Sequence, residues 1–441
     1  MMVGMSHENR LTHRTSAQEG DRERPRSAAA GALASPWTLR LVVAGLVLIA
    51  LNLRPAVSGL GPMLAEVRDG LGMSGTVAGL LTSMPALCFA VFGGVAPRLA
   101  RRYGPTAVVL AGMAAVTAGL ALRPLAGGTG VFLLTSALAL AGIAVSNVLM
   151  PVIVKRWFPD RVGSMTGLYS MSLALGTSAA AALTVPAASA LGGSWRAGLG
   201  LWAVLGALAL LPWTAVLLRS RRPAPGPAVV PPAGASEGAT PQDTPAGPPP
   251  RITRSATAWA LGAFFGFQAT AAYVTLGWLP QIFRDAGLPA GTAGLLLAVT
   301  MGLGIPLSFV LPRVAARLSH QGPLVVVLGL CGLGGYAGLW LAPAAGAWAW
   351  VLLLGVSNCA FPLVLTMIGM RARTSAGVAG LSAFVQSTGY LISIPGPLLV
   401  GALHDSTGGW QAPLLLMASL MTVQILVGVV AGRDRCIEDG D

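Results

Sequence analysis

The stretch "LRLVVAGLVLIALNLRPAVSG", Leu39 to Gly59, decides what kind of chain this is. From Leu41 to Leu51 no polar side chain interrupts it. A helix needs about 20 residues to cross about 30 Å of hydrocarbon, so one that begins here carries Arg54 and Pro55 within it. Arg54 stands about 21 Å of helix rise beyond Arg40, at about 1.5 Å per residue, in the middle-to-outer part of the span. Pro55 has no N–H for the carbonyl of Leu51, which predicts a free acceptor and a kink beside the arginine. A guanidinium at this depth is costly. Either it snorkels to the nearer interface or it faces a wet cavity.

The rest of the chain follows the same pattern. Of 441 residues, 54% are hydrophobic and 10% charged, against about 25% charged in soluble proteins. The apolar residues come in long blocks, which predicts an all-α membrane protein and excludes a barrel of short alternating strands. Twelve spans are expected, at 38–62, 75–96, 105–125, 130–154, 162–189, 195–218, 257–281, 291–312, 322–343, 346–370, 376–403 and 410–432. The N-terminus on the inside leaves 23 of the 28 Lys/Arg on cytoplasmic segments and four (Arg68, Arg123, Arg196, Arg284) on the outer side. Such asymmetry places both termini in the cytoplasm of a multi-pass cell-membrane protein. It also accounts for the net charge of +13, so no nucleic-acid partner is implied. Residues 1–37 read as a disordered tail without signal-peptide or transit-peptide features. The four cysteines and four histidines have no disulfide or metal-ligand spacing, so neither a metal nor a cofactor is expected.

Residues 219–256 hold ten prolines between Arg219 and Ser255 and read as a flexible cytoplasmic linker. The linker joins two six-helix bundles, 38–218 and 257–432, and a short tail, 433–441, follows. The bundles repeat one another in parallel. "SNVLMP" (Ser146–Pro151) recurs as "SNCAFP" (Ser357–Pro362), and "PRLARRYGP" (Pro97–Pro105) as "PRVAARLSHQGP" (Pro312–Pro323). "GLYSMSLALG" (Gly167–Gly176) matches "GLSAFVQSTG" (Gly380–Gly389), and "GGSWRA" matches "GGWQA", in the same order.

Six plus six helices, a parallel repeat and a central loop resemble the major facilitator arrangement, in which two bundles enclose a midplane cavity and open it to one side at a time. The stretch from "LNLRP" to "APRLARRYG" (Leu51–Gly104) resembles the opening of the cyanate/2-nitroimidazole porter (CynX/NimT-type) branch. "SNxxxP" and "GGSWR" support it. The resemblance implies a secondary transporter of a small anion or small planar solute, working as a monomer. A drug-type exporter of neutral or weakly charged compounds is the alternative. One departure is notable: the superfamily's loop between helices 2 and 3 usually has an Asp before its basic residues, where this chain has Arg101. Arg98, Arg101, Arg102 and their repeat counterparts Arg313 and Arg317 are therefore gate elements or headgroup anchors. The helix 5 antiporter signature is also missing.

No Asp or Glu falls inside an expected span, so Arg54 has no evident counter-ion and the missing negative charge could be the solute's. A guanidinium offers a planar anion two parallel donors, which Lys cannot. On an ideal helix Ser58 shares a face with Arg54, while Asn52 is turned away and is as suited to interhelical bonding. Asn147 and Asn358 are repeat-related polar residues beside Pro151 and Pro362; each is solute-binding or interhelical glue. Gln268 and Tyr273 of span 7 and Gln386 of span 11 complete the candidate substrate site. Tyr390 of span 11 and Tyr169 of span 5 suit packing. With no nucleophile–base pair or carboxylate at membrane depth, an intramembrane enzyme is not expected.

Overall fold

The computed structural model describes residues 36–158, 161–220, 252–373 and 375–438. The N-terminal tail to residue 35, residues 221–251 of the linker and the last three residues lie outside the described residues. Those described are helical almost throughout, and twelve of their helices are long and apolar enough to cross a membrane. Spans 1–6 are Pro36–Leu71, Gly75–Tyr103, Pro105–Leu125, Thr129–Trp157, Gly167–Ala190 and Trp195–Leu218. Spans 7–12 are Ala256–Asp285, Ala290–Ser308, Gly322–Leu341, Ala347–Met370, Gly380–Thr407 and Gln411–Ala431. Large apolar side chains such as Leu134, Leu211, Leu330 and Leu426 point outward and exposed, forming the lipid-facing belt of a multi-pass membrane protein.

Local chemistry sets the ends of these helices. The Ser74 hydroxyl caps span 2 by accepting from the Val77 N–H at 3.3 Å, and Ser255 caps span 7 through the Ala258 N–H at 3.4 Å. Span 1 ends at Gly72, whose φ of 63° supplies the left-handed residue that closes a helix. The last turns of spans 1 and 2 continue past the expected ends. Leu64–Leu71 carries Glu66, Arg68 and Asp69, and span 2 continues through Arg98, Arg101 and Arg102 to Tyr103. Charged residues do not break a helix; they only take it out of the hydrocarbon.

With six spans per bundle, both described termini and both linker ends lie on one face, here the terminal face. The bundles meet along spans 2 and 11, along spans 5 and 8, and where span 1 meets span 7. Span 7 runs through the middle: 78% of its apolar window is buried, against 33% for spans 6, 8, 11 and 12. Contact is tightest in the half away from the termini. A Cβ on Gly79 of span 2 would lie 2.6 Å from the carbonyl oxygen of Pro397 in span 11. A Cβ on Gly61 would collide with the Leu276 carbonyl of span 7. Two ion pairs seal the same rim: Arg284 to Glu66 at 2.7 Å, and Arg68 to Asp405 at 3.4 Å. The Thr76 N–H adds a bond to Asp405 at 3.0 Å. The bundles are thus closed at the far face.

On the terminal face, Arg98, Arg101, Arg102, Arg313 and Arg317 are exposed and form no ion pair among the described residues. The buried Arg371 is the clamp there. It bonds Gln321 of the span 8–9 loop, the Gly432 carbonyl at 3.0 Å and Asp434 at 3.2 Å, tying two loops to the C-terminal segment.

Candidate functional site

Span 1 is not one helix. The α-helix Pro36–Asn52 stops, Arg54 takes φ −120° and ψ −27°, and a short helix resumes at Pro55–Ser58. The cause is Pro55, which offers the Leu51 carbonyl no donor. Arg54 is therefore presented at an elbow rather than along a cylinder. Its carbonyl accepts from the N–H groups of Val57 and Ser58, each at 2.9 Å. The Ser58 hydroxyl also turns back to that carbonyl at 3.1 Å, and Ser58 is fully buried. Asn52, likewise buried, donates to the carbonyls of Leu48 at 2.8 Å and Leu205 of span 6 at 3.0 Å.

The Arg54 side chain is half-buried and forms no ion pair among the described residues. Tyrosines surround it. The guanidinium lies near enough to act electrostatically on Tyr273 of span 7, Tyr169 of span 5 and Tyr390 of span 11. Three spans from both bundles thus converge on the cation of span 1. Tyr169 in turn donates to Oδ1 of Asn147 at 2.5 Å, bringing span 4 into the cluster. Tyr390 stacks on Phe89 of span 2, ring centres 5.1 Å apart and 17° from parallel, and meets Phe265 edge-on at 5.1 Å. The centre therefore offers one fixed positive charge beside flat aromatic surface.

Gln268 and Asn358 form a second polar group. Pro362 denies the Asn358 carbonyl its helical donor, and Gln268 Nε2 supplies one at 3.1 Å while also donating to Asn358 Oδ1 at 3.0 Å. Because the carbonyl can only accept, the Gln268 amide must point its nitrogen that way. Its oxygen then accepts from Gln424 of span 12 at 2.8 Å. Both Gln268 donors are taken, and Asn358 Nδ2 faces only the Met301 sulfur, at 3.7 Å. Span 10 breaks here, ending one helix at Asn358 and starting the next at Ala360, whereas span 4 runs unbroken through Asn147 and an exposed Pro151. Gln386 donates to the Ser382 hydroxyl at 2.8 Å, one turn away on its own helix.

Among the expected site residues, Arg54 and Tyr273 come together, and Asn147 joins them through Tyr169. The hydroxyl of Ser58 and the amide of Gln268 are spent on the protein itself. Four residues lie outside the site expected from sequence. Tyr169 and Tyr390 suit packing by sequence, yet both lie near Arg54. Gln424 carries the same signal as Gln386, an amide in mid-span. Arg123, counted with the far-side loops, is 2% exposed, and no sequence pattern marks it.

Residues 41–394 match the Major Facilitator Superfamily, and the chain belongs to that superfamily. It is a membrane transporter of small molecules rather than an enzyme. The chain is 32% identical to the 2-nitroimidazole transporter of Escherichia coli (strain K12), over 90% of this chain and 96% of that one. It is 29% identical to the cyanate transport protein CynX of the same organism, over 86% and 95% of the two chains. Among solved structures, a bacterial homologue of the human lysosomal transporter Spinster, in an inward-facing and occupied conformation, superposes with a TM-score of 0.68. That match covers 90% of this chain and 96% of the other at 15% identity, so it speaks to the fold alone.

Proposed function

We propose that this is a secondary transporter of the cell membrane that moves a small anion or planar polar solute by alternating access, with Arg54 as the anchor. The observation that carries the reading is an arginine at the elbow of span 1, half-buried, with tyrosines about it and no carboxylate among the described residues to neutralise it. A buried cation without a protein counter-ion is costly; an incoming anion or electron-rich acceptor removes that cost. A guanidinium suits a planar group because it presents parallel donors. The relatives' substrates, cyanate and 2-nitroimidazole, are both small acceptor-bearing solutes, one anionic and one a flat ring. Asn147 and Asn358 are the next candidates for contact, since each has its oxygen held by the protein and its amide nitrogen left as a donor.

The aromatic wall of Phe89, Tyr390 and Phe265 supports a second reading within the class: a neutral or weakly charged flat solute, stacked on the rings, with Arg54 bonding an acceptor on its edge. Export of drug-like compounds is its extension. The distribution of Lys and Arg argues that the terminal face is cytoplasmic, which makes the far-face closure that of an inward-facing transporter. The site draws on both bundles, so a single chain suffices for transport. A thermal-shift screen of the purified protein against cyanate, other small anions, 2-nitroimidazole and related heterocycles separates the readings. Stabilisation by anions that disappears in Arg54→Ala supports the first. Stabilisation by neutral rings alone, unchanged in that variant, overturns it in favour of the second.

A further inference from the structure

Arg123 is the least expected charge in the molecule. It ends span 3 in a short 3-10 turn, Arg123–Leu125, and is 2% exposed. No carboxylate pairs with it among the described residues, and its Nε has no hydrogen-bond partner. The guanidinium carbon lies 4.8 Å from the ring centre of Phe132 in span 4. Its Nη1 donates to the carbonyl oxygen of Ala56 at 2.9 Å. That carbonyl is special. In a continuous helix it would accept from the N–H of Leu60, but Leu60 bonds Val57 instead at 3.1 Å, where span 1 tightens beyond its break. Arg123 fills the position that the broken ladder left vacant.

We infer that Arg123 is a positioning residue for the solute site: it holds the elbow of span 1 from behind and so fixes where Arg54 points. The inference rests on Arg54 being the anchor. Ala56 sits in the four-residue helix Pro55–Ser58, which is bonded to the Arg54 carbonyl at two N–H groups and one hydroxyl. A segment that short has little internal rigidity, so its orientation is set by what grips it. A flat guanidinium locked on an aromatic ring grips one carbonyl in one direction, which a flexible ammonium does less well. The side chain's burial argues against a topological role, because a charge that only orients a loop has no reason to leave water.

The test uses the full-length protein in lipid nanodiscs and proteoliposomes, comparing Arg123→Met, Arg123→Lys and Arg54→Ala with the double variant Arg54→Ala/Arg123→Met. Hydrogen exchange needs no solute. In Arg123→Met the amides of residues 53, 54 and 56–60 should exchange about tenfold faster, the factor expected for one bond to a charged donor, while the first helix of span 1 and the rest of the N-terminal bundle stay protected. In uptake of cyanate and 2-nitroimidazole, Arg123→Met should raise KM about tenfold with little change in maximal rate, and Arg123→Lys should recover part of the loss. In the Arg54→Ala background, where uptake is already lost, the Arg123 change should still loosen residues 53–60 to the same extent, because Arg123 grips the Ala56 carbonyl and not the Arg54 side chain. Unchanged exchange at 53–60, or loosening spread evenly over the bundle, would overturn the inference. If Arg123→Met fails to fold, Phe132→Leu, which removes the platform and keeps the arginine, must give the same local loosening for the inference to stand. Normal uptake by Arg54→Ala would instead overturn the anchor, and this inference with it; loss in Arg54→Ala but not in Arg123→Met overturns this inference alone.

Discussion

Breaking the Glu66–Arg284 pair should loosen the far-face closure by a calculable amount. The two side chains come from different bundles and meet at 2.7 Å, with 34% and 21% of their surface still exposed. The bare Coulomb attraction at that distance is about 1.5 kcal/mol at the dielectric constant of water and about 6 kcal/mol at an effective value near 20. Desolvation and the ordering of two long side chains remove most of this, and exposed pairs retain about 0.2–1 kcal/mol. Partial burial favours the top of that range, so about 1 kcal/mol is a fair figure. The pair exists only while the bundles touch, so its loss shifts the closed-to-open ratio about fivefold. Glu66→Gln removes the ion pair but leaves Arg284 its bond to the Pro62 carbonyl at 3.2 Å; Arg284→Gln removes both and should open the rim further. Distances between spin labels at Leu191 and Pro289, exposed on opposite bundles, read the populations directly. The double variant completes a mutant cycle. A coupling energy below about 0.3 kcal/mol, the noise of additivity, would refute the reasoning that this contact helps hold the rim shut.

Gly79→Val should act more strongly than either charge change, because its side chain meets the Pro397 backbone at 2.6 Å and backbone cannot step aside. The same label pair should report a mainly far-open population, and a closed distribution would contradict the close packing described. Gln424→Leu should leave Gln268 Oε1 buried without a donor, at a cost of about 1–3 kcal/mol. Its melting temperature should fall while cyanate binding persists; equal loss of both would place the amide network in the solute site itself.

Hydropathy blocks, proline-bounded repeats and charge asymmetry carried the fold, since membrane thickness and backbone hydrogen bonding leave a chain of this composition few choices. Arg54 was legible for a related reason: a charge in apolar sequence violates the pattern around it. Of what surrounds it, only Tyr273 is among the site residues expected from sequence. Tyr169, Tyr273 and Tyr390 arrive from three other spans, and nothing local to each tyrosine distinguishes a ring that packs from one that meets a guanidinium. Ser58 shows that a shared helix face does not decide where a hydroxyl is spent: it bonds the Arg54 carbonyl one turn back, as serines in regular helices do. Arg123 is the clearest case of information absent from local sequence. Pro124 and the Gly127–Gly128 pair mark it as loop, and only the approach of span 1 turns that loop arginine into a buried donor.

The most direct test of the account is uptake of cyanate and of 2-nitroimidazole by proteoliposomes carrying the wild type, Arg54→Lys, Arg54→Ala or Arg54→Glu, with melting temperatures taken in parallel. Arg54→Lys keeps the charge but not the planar fork and should weaken apparent affinity about tenfold. Arg54→Ala should lose uptake while melting no lower than the wild type, because a half-buried, unneutralised charge has been removed, and Arg54→Glu should abolish anion uptake. Wild-type uptake by the alanine variant would contradict the claim that Arg54 anchors the solute.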